Sequence, residues 1–157
     1  MIYVFDTNSF SEMSPLLPDV FPAFWVRFEA AVIAGEVTST REVLRELGAG
    51  PNNHVLEWCS RNKTIFTTPN ATETSFLPRI FVVPHFQQII SEKARLRGTP
   101  VADPFIIARA HALGGTVVTE ESPRPNKPNI PAICQHFGIP CMKLGGNHPA
   151  SPTFPFR

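Results

Sequence analysis

Short apolar runs alternate along the chain with longer segments in which apolar residues recur every three or four positions. The short runs predict buried strands, because the strands of a parallel sheet are covered on both faces and read as continuous apolar stretches. These runs are residues 1–5, 37–39, 64–68, 116–119 and 140–144. Their alternation with helical segments predicts an α/β fold, in which helices cover a central parallel sheet of four to five strands.

Helix start and stop signals bound the segments of helical pattern. These segments are residues 19–35, 39–48, 53–62, 85–96, 103–114 and 130–137. Ser39 with Glu42, and Asn70 with Glu73, have the spacing of a capping box, which predicts that each pair begins a helix. Asp103 stands directly before a proline. This order predicts a helix with Asp103 as its N-cap, since aspartate caps helices and proline suits the first turn.

Composition limits the class of protein. The chain has 157 residues, of which 43% are hydrophobic and 17% are charged, and these values predict one compact domain rather than a disordered chain. We assign the domain to residues 1–144 and expect the proline-rich end, residues 145–157, to be extended or poorly ordered. The net charge of +1 excludes a protein that coats nucleic acid by bulk electrostatics, so any nucleic-acid site is a local patch.

The sequence also predicts the compartment. No segment reaches the roughly 18 to 20 apolar residues that span a bilayer, and no basic leader precedes Asp6. The three cysteines are an odd number without dense spacing, which favours reduced thiols over a disulfide framework. We therefore expect a cytoplasmic protein that does not associate with membranes.

Acidic residues follow several of the predicted strands. Asp6 comes directly after the first strand, Glu42 lies at the helix start after the second, and Glu121 follows the strand TVVT. Asp103 joins them from the same edge, because the functional groups of a parallel sheet collect beyond the carboxyl ends of its strands. Four carboxylates without matching cations repel one another, and Mg2+ or Mn2+ would neutralise them. Such ions activate water for attack on phosphorus, so the pattern predicts phosphodiester hydrolysis.

Each of these carboxylates also has a purely local interpretation. Asp6 can form an Asx turn in a polar loop after the first strand, Glu42 can complete a capping box, and Asp103 can be an ordinary N-cap. Their joint placement favours the metal site. The chain has only three aspartates, and two of them stand at a strand end and at a helix start.

The motifs VFDTN, TREVLREL and ADPFIIARAHALGGTVVTEE, in this order, resemble those of the PIN-domain nucleases, which include the VapC-type toxins of prokaryotic toxin–antitoxin pairs. The resemblance spans residues 1–144, and the segments TVVTEES and NIPAICQHFGIPCMKL are similar to a bacterial subgroup. It implies a PIN-like three-layer α/β/α fold with the strand order 3-2-1-4-5. It also implies a metal-dependent endoribonuclease that leaves a 3′ hydroxyl and a 5′ phosphate. Its implied partners are the RNA substrate, a cognate antitoxin that blocks the acidic cleft, and a second copy in a homodimer.

The resemblance further implies roles for individual residues. The four acids that correspond by position to the catalytic metal ligands of the family are Asp6, Glu42, Asp103 and Glu121. The family's fourth acid lies two positions after a threonine, so Thr119 indicates Glu121, with the neighbouring Glu120 as the alternative. Asn8 and Thr119 correspond to polar residues that support the site, and Glu120 is a third candidate for that supporting role.

Basic and aromatic residues are candidates for contacts with RNA. The basic candidates are Arg41, Arg45, Lys93, Arg95 and Arg97. They would grip the phosphate backbone, and the alternative is a solvated helix face. The aromatic candidates are Phe24, Trp25, Phe28 and Trp58. Aromatic rings at helical spacing usually face other apolar groups, so we expect these in the core or at a dimer surface rather than on bases.

Three other functions are compatible with parts of the pattern. A phosphatase with Asp6 as its nucleophile needs a second aspartate two positions on, where the chain has Asn8. A zinc site would use Cys134, His136, Cys141 and His148. The spacing of these residues matches no common zinc module. A PIN-like scaffold that binds RNA or protein without cutting is the main alternative, although the four acids favour an enzyme.

Overall fold

The computed structural model describes residues 1–90 and 101–144. Its strands are β1 (Tyr3–Phe5), β2 (Val37–Thr40), β3 (Phe66–Thr67), β4 (Thr116–Val118) and β5 (Cys141–Met142). All neighbouring pairs are parallel, and the order across the sheet is β3-β2-β1-β4-β5. The predicted α/β class and the expected order 3-2-1-4-5 are both confirmed.

Helices flank this sheet. They are α1 (Thr7–Glu12), α2 (Pro22–Ile33), α3 (Arg41–Gly48), α4 (His54–Arg61), α5 (Ala71–Phe81), α6 (Asp103–Leu113) and α7 (Ile130–Phe137), with 3-10 helices at Lys63–Ile65 and Pro84–Ile90. Because crossovers between parallel strands are right-handed, the helices before β3 and those after it lie on opposite faces. On the second face, α5 packs along α6, and α6 packs on α7. None of the helices in the described ranges is long and apolar enough to cross a membrane.

The first strand leads into a helix rather than into the expected polar loop. Asp6 is the N-cap of α1, and its Oδ1 accepts a hydrogen bond from the backbone N–H of Ser9 at 2.9 Å. Aspartate is among the strongest N-cap residues because it satisfies a backbone donor of the first turn. The polar run DTNS therefore begins a helix, and Asp6 is held at the junction of β1 and α1.

The predicted capping box of Ser39 and Glu42 is wrong. Strand β2 extends through Ser39 to Thr40, and the Ser39 hydroxyl donates to the carbonyl oxygen of Phe5 at 2.7 Å. Thr40 is the N-cap of α3, without a side-chain hydrogen bond to the helix. Since the Ser39 hydroxyl is used by the neighbouring strand, the carboxylate of Glu42 is left to other partners.

Two further cap predictions have different outcomes. Asn70 is the N-cap of α5, and its side chain accepts from the backbone N–H of Glu73 at 2.9 Å, as predicted. For α6 the prediction is wrong by one position, because Ala102 is the N-cap and Asp103 is the first helical residue. The carboxylate of Asp103 thus lies in the first turn, where the helix dipole favours a negative charge.

The predicted helix at 85–96 is only partly within the described residues. Pro84–Ile90 form a 3-10 helix instead of an α-helix, and the N–H of Phe86 bonds to the carbonyl oxygen of Val83 at 2.9 Å. Residues 91–100 lie outside the described ranges, as does the predicted tail, residues 145–157. The predicted site and alternative residues that fall there are Lys93, Arg95, Arg97 and His148.

The aromatic candidates of α2 and α4 belong to the core. The four side chains that are buried are Phe24, Trp25, Phe28 and Trp58. The rings of Phe28 and Trp58 are 5.0 Å apart between centroids, and the Trp25 ring meets Phe28 edge-on at 5.9 Å. The expectation of core packing is confirmed, and these rings have no face free to stack on a base.

A buried ion pair joins α5 to α6. Arg109 is 2% exposed, and its Nε and Nη2 donate to the two carboxylate oxygens of Glu73 at 3.2 and 3.1 Å. The same guanidinium donates to the carbonyl oxygens of Ser39, Thr67 and Thr68. Five donors in a planar fork allow one arginine to satisfy all of these acceptors. The pair therefore fastens both helices to the carboxyl ends of β2 and β3.

Candidate functional site

Two neighbouring strands end side by side at the carboxyl edge of the sheet. Strands β1 and β4 pair with Phe5 opposite Val118, so the residues that follow, Asp6 and Thr119, leave the sheet together. The Thr119 hydroxyl donates to Asp6 Oδ2 at 2.6 Å. The backbone N–H of Asp6 and the hydroxyl of Ser9 both donate to the Val118 carbonyl oxygen, at 3.1 and 2.7 Å. The start of α1 is thereby bonded to the end of β4.

The Asp6 carboxyl group is 3% exposed. Its burial raises its pKa from the ordinary value of 3.8 to about 7. Hydrogen bonds from Thr119 and Ser9 act in the opposite direction, and the negative charge of Glu121 raises the pKa further. The donors that reach Asp6 belong to Thr119 and Ser9 and are uncharged, so the ionised form of Asp6 would gain from a cation.

Asn8 and Thr119 hold the turn that follows β4. Asn8 Oδ1 accepts from the backbone N–H of Glu120 at 2.8 Å and lies 3.3 Å from Thr119 Oγ1. The backbone N–H of Glu121 donates to the same threonine oxygen at 3.2 Å. The structure therefore brings Asn8 and Thr119 into one network with Asp6 and with the backbone of Glu120 and Glu121.

The side chains of the two glutamates have different partners. Glu120 Oε1 accepts from the backbone N–H of Leu144, just after β5, at 2.7 Å. Glu121 Oε2 accepts from the N–H of Ile130, the first residue of α7, at 3.0 Å. Of the two, Glu121 is the one whose charge acts on Asp6. The two glutamates thus differ in that the charge of Glu121 acts on Asp6, whereas Glu120 holds the end of β5.

Glu42 lies in the first turn of α3 and is 2% exposed. Its Oε1 forms an ion pair with Arg41 Nε at 2.9 Å. Its Oε2 is buried without a hydrogen-bond partner, and so is the hydroxyl of Thr40. An unpartnered buried oxygen costs free energy, so a further positive partner would stabilise this carboxylate.

Glu46 is a candidate that the sequence argument missed. Its Oε2 accepts from the hydroxyl of Thr7, the residue after Asp6, and its Oε1 accepts from the backbone N–H of Ala102 at 3.0 Å. Ala102 directly precedes the half-buried Asp103. A signal was present in the sequence, since Glu46 lies one turn after the predicted acid of α3 and therefore on the same face. Its carboxylate connects the two chain segments that carry the site aspartates.

The two basic candidates for RNA contacts that lie in the described residues differ in exposure and in ion pairing. Arg41 is about half exposed, at 48%, and is engaged by Glu42 in the ion pair. Arg45 is exposed to solvent. Both lie on α3, the helix that also carries Glu46, so a phosphate bound by them would be near the acidic edge.

The donor atoms at this edge suit a hard divalent cation, because carboxylate oxygens are the ligands that Mg2+ and Mn2+ prefer. Asp6, with its raised pKa, and Glu42, with its unpartnered oxygen, would both be stabilised by a positive charge. Within residues 1–90 and 101–144, however, no three His, Cys, Asp or Glu side chains lie close enough together to hold a metal ion. The residues have the chemistry for such an ion, while the side chains as placed do not converge into a set of three ligands.

Solved structures that are similar to this chain include the following two. The chain is similar to FitAcB from Neisseria gonorrhoeae, with a TM-score of 0.42 and 17% identity, over 76% of this chain and 88% of that one. It is also similar to VapBC2 from Rickettsia felis bound to a DNA fragment from their promoter, with a TM-score of 0.47 and 16% identity, over 92% of this chain and 99% of that one.

Comparison of the sequence itself gives a family. No protein of curated function matches the chain. A family model described as a domain of unknown function, DUF4411, matches residues 3–146. This range covers the whole sheet and all the acids discussed above, and the chain is therefore a member of the DUF4411 family.

Proposed function

We propose that the protein is a metal-dependent endoribonuclease whose site lies at the carboxyl edge of the sheet, around Asp6. The observation that carries the proposal is the Asp6 carboxyl group, which is 3% exposed, has a pKa raised to about 7 by burial, and lies near the charge of Glu121. A carboxyl group in such surroundings ionises readily only beside a positive charge, and a divalent cation supplies one. RNA as the substrate follows from the resemblance to the PIN-domain nucleases of the motifs that contain Asp6, Asp103 and Glu121.

Four carboxylates would hold Mg2+ or Mn2+. Three of them are Asp6, Asp103 and Glu121. For the fourth, the contacts favour Glu46, because it bonds to residues adjacent in sequence to both aspartates. Glu42, which the sequence predicts for this role, is buried and already ion-paired to Arg41 through one oxygen. It remains the alternative, and substitution of each glutamate distinguishes them.

The chain itself orients these ligands. Thr119 donates to one oxygen of Asp6 and the N–H of Ser9 donates to the other, so the plane of this carboxylate is set by the fold. The N–H of Ile130 holds one oxygen of Glu121. Such hydrogen bonds around the ligands fix their direction and strengthen binding. When bound, the ion supplies activation of water for attack on phosphorus and stabilisation of the departing oxygen.

The biological setting in this proposal rests on the family resemblance. The protein would act in the cytoplasm as the toxin of a type II toxin–antitoxin pair, as a homodimer, and a cognate antitoxin would cover the acidic edge.

Two arginines of α3 are candidates for contacts with the RNA. The exposed Arg45 and Arg41, which is ion-paired to Glu42, would contact phosphates. Replacing Arg45 by Ala should therefore weaken RNA binding and reduce its salt dependence by roughly one phosphate contact.

Cleavage of a mixed RNA pool tests the activity. Purified wild type, Asp103→Asn and Asp19→Asn are incubated with Mg2+, with Mn2+ and with chelator. We expect wild type and Asp19→Asn, which alters an exposed aspartate in the turn between α1 and α2, to cut only with metal. Loss of one ligand should lower the rate of Asp103→Asn by at least about 100-fold, since ion catalysis is worth several kcal/mol.

Three outcomes would contradict the proposal. Cleavage by wild type in chelator would show that the reaction needs no metal ion. Full activity of Asp103→Asn would show that Asp103 is not part of the site. Tight RNA binding by wild type without cleavage in either metal supports instead the scaffold that binds RNA without cutting. The fragment ends identify the reaction, since a 3′ hydroxyl and a 5′ phosphate are expected.

A matched pair of variants assigns the acid of α3. Glu46→Gln and Glu42→Gln each remove one negative charge with little change of shape. We expect Glu46→Gln to lose metal-dependent cleavage and Glu42→Gln to retain most of it, because only Glu46 bonds to the segments around both aspartates. The opposite ranking would assign the role to Glu42, as the sequence predicts.

A further inference from the structure

Two aromatic rings lie flat on one another where α5 packs along α6. The imidazole of His111 is 3.9 Å from the ring of Phe76 between centroids, with 13° between the two planes. Phe76 is buried, whereas His111 is exposed. Since Phe76 covers one face of the imidazole, the exposure of His111 comes from its opposite face and its edge. The buried phenylalanine therefore holds an exposed ring in a fixed direction.

An arginine and two further aromatic rings surround this stack. The guanidinium carbon of Arg79 lies 4.8 Å from the centroid of Phe76 and 5.9 Å from that of Phe137. Phe137 meets Phe76 edge-on at 5.0 Å, and His136 meets Phe137 edge-on at 4.8 Å. Arg79 and His136 are both exposed. We call Phe76, Arg79, His111, His136 and Phe137 together the aromatic patch.

The charge of the three helices that carry the aromatic patch favours an anionic ligand. Helices α5, α6 and α7 contain two acids, Glu73 and Asp103. Glu73 is buried and ion-paired to Arg109. Asp103 is half-buried, at the opposite end of α6 from His111. In the part of the chain that the structure describes, Arg79 is ion-paired to no carboxylate. An anion at the patch would thus be attracted by Arg79 and would meet no exposed acid of these helices.

We propose that the aromatic patch binds single-stranded RNA, with a base stacked on the outer face of His111 and a backbone phosphate held by Arg79. Unpaired RNA bases stack on the rings of aromatic side chains, histidine included. Such stacking accepts any base, because every base has a flat aromatic face. The choice of RNA as the ligand rests on the proposed function.

The aromatic patch lies near enough to the acidic edge for one strand to contact both. His111 follows Asp103 by eight positions on α6, which is about 12 Å along the helix axis. Helix α7 also begins at that edge, where Glu121 binds the N–H of Ile130, and it ends at Phe137. An RNA with one phosphodiester at the acidic edge therefore extends along these helices to the patch, which binds a base outside the bond that is cut.

The experiment measures RNA binding separately from cleavage. Every protein carries Asp103→Asn, which stops cleavage in the proposed function, and this parent variant is titrated into a fluorescein-labelled single-stranded oligoribonucleotide of mixed sequence. Fluorescence anisotropy gives the dissociation constant. We expect His111→Ala to weaken binding by about 5-fold or more, because one stacked base is lost. His111→Phe retains a ring and should restore the affinity of the parent.

A matched pair of arginine variants tests the phosphate contact. Arg79→Ala should weaken binding and reduce its salt dependence by roughly one phosphate contact. Arg27→Ala removes an exposed arginine of α2, on the other face of the sheet, and should bind like the parent. The same RNA annealed into a duplex is a further control. Its bases are already stacked on one another, so the loss in His111→Ala should be confined to single strands.

The inference is wrong if the parent binds no RNA, if His111→Ala binds as tightly as the parent, or if single strands and duplex lose affinity equally. A change of assembly in His111→Ala, measured by sedimentation velocity, would show instead that the patch lies between two copies of the chain. Cleavage by wild type with unchanged binding in His111→Ala would contradict the patch alone. Binding that depends on His111, without cleavage by wild type in either metal, would contradict the nuclease alone.

Discussion

Two carboxyl groups of this protein, on Glu73 and Asp6, are equally hidden from solvent at 3% exposure, but their surroundings differ. Glu73 meets the guanidinium of Arg109 with both oxygens, and that guanidinium also donates to three backbone carbonyl groups at the carboxyl ends of β2 and β3. Asp6 is bonded by the hydroxyl of Thr119 and by a backbone N–H, and the charge that acts on it is that of a second acid, Glu121.

The difference separates a structural carboxylate from one suited to chemistry. A buried carboxylate keeps its charge only if an opposite charge or several donors replace the lost water. The ion pair between α5 and α6 contains its own cation, Arg109, so the charge of Glu73 is balanced within the fold. The carboxyl at the end of β1 has a pKa raised to about 7, which means that the fold leaves part of its charge to be balanced from outside.

The largest effect on stability is expected from breaking the buried ion pair between Arg109 and Glu73. Arg109→Met leaves the Glu73 carboxylate buried without its cation, so the free energy of unfolding should fall by roughly 3 to 5 kcal/mol. Urea unfolding followed by circular dichroism measures this change. The double variant Arg109→Met with Glu73→Leu removes both charges and should recover most of the loss. A single variant as stable as wild type would show that the pair does not hold α5 and α6 to the sheet.

The contribution of Asp6 to the free energy of unfolding should change with pH in the opposite sense from that of an ion-paired acid. The folded pKa of Asp6, about 7, lies above the ordinary 3.8, so the folded chain binds more protons than the unfolded chain between these values. Stability is therefore lost as pH rises through about 7. In chelator, Asp6 alone should cost roughly 2 to 3 kcal/mol between about pH 5 and pH 8.

Denaturant unfolding of wild type and Asp6→Asn at several pH values isolates this contribution, because both chains carry the same histidines. The difference in stability between wild type and Asp6→Asn should change with pH. The difference between wild type and the exposed control Asp19→Asn should stay constant. Equal pH profiles for wild type and Asp6→Asn would mean that the Asp6 carboxyl is not perturbed, and the contrast with Glu73 would disappear.

The smallest effect is expected from removing one donor at Asp6. Thr119→Val keeps the shape of the side chain but removes the hydroxyl that donates to Asp6 Oδ2, so stability should fall by about 1 kcal/mol. The loss should be larger above about pH 7, where Asp6 is ionised and bonds to a charged acceptor are stronger. Thr119→Ser retains the hydroxyl and should restore the pH profile, whereas an equal loss in Thr119→Ser would point to packing instead of hydrogen bonding.

Much of the fold could be predicted from local patterns. The five apolar runs all contain strands, and Asn70 caps its helix as its spacing indicates. Two of the errors fall where a polar side chain had two possible partners. Ser39 bonds to the neighbouring strand instead of its own helix, and Asp6 caps a helix where a loop was expected. Spacing along the chain cannot decide between such partners, because the competing acceptor comes from another strand.

The candidate site, like the fold, could be predicted from the sequence only in part. The positions of Asp6, Asp103 and Glu121 at strand ends and at a helix start could be read from the sequence, and the strand order followed from the family resemblance. The local pattern placed Glu42 in a first turn, which is where it lies. The spacing also puts Glu46 on the same face as Glu42, one turn later, but its contacts with the segments around both aspartates depend on how α1 and α3 pack.

The sequence by itself determined the α/β class, the bounds of most elements and the group of acids at the carboxyl edge, because periodicity and turn chemistry act over a few residues. Only the tertiary structure decided which partners those groups meet. The bond from Thr7 to Glu46 joins positions 39 apart, and the pair of Arg109 and Glu73 joins positions 36 apart. The sign and size of each electrostatic effect depend on burial and on such distant neighbours, and these exist only once the chain has packed.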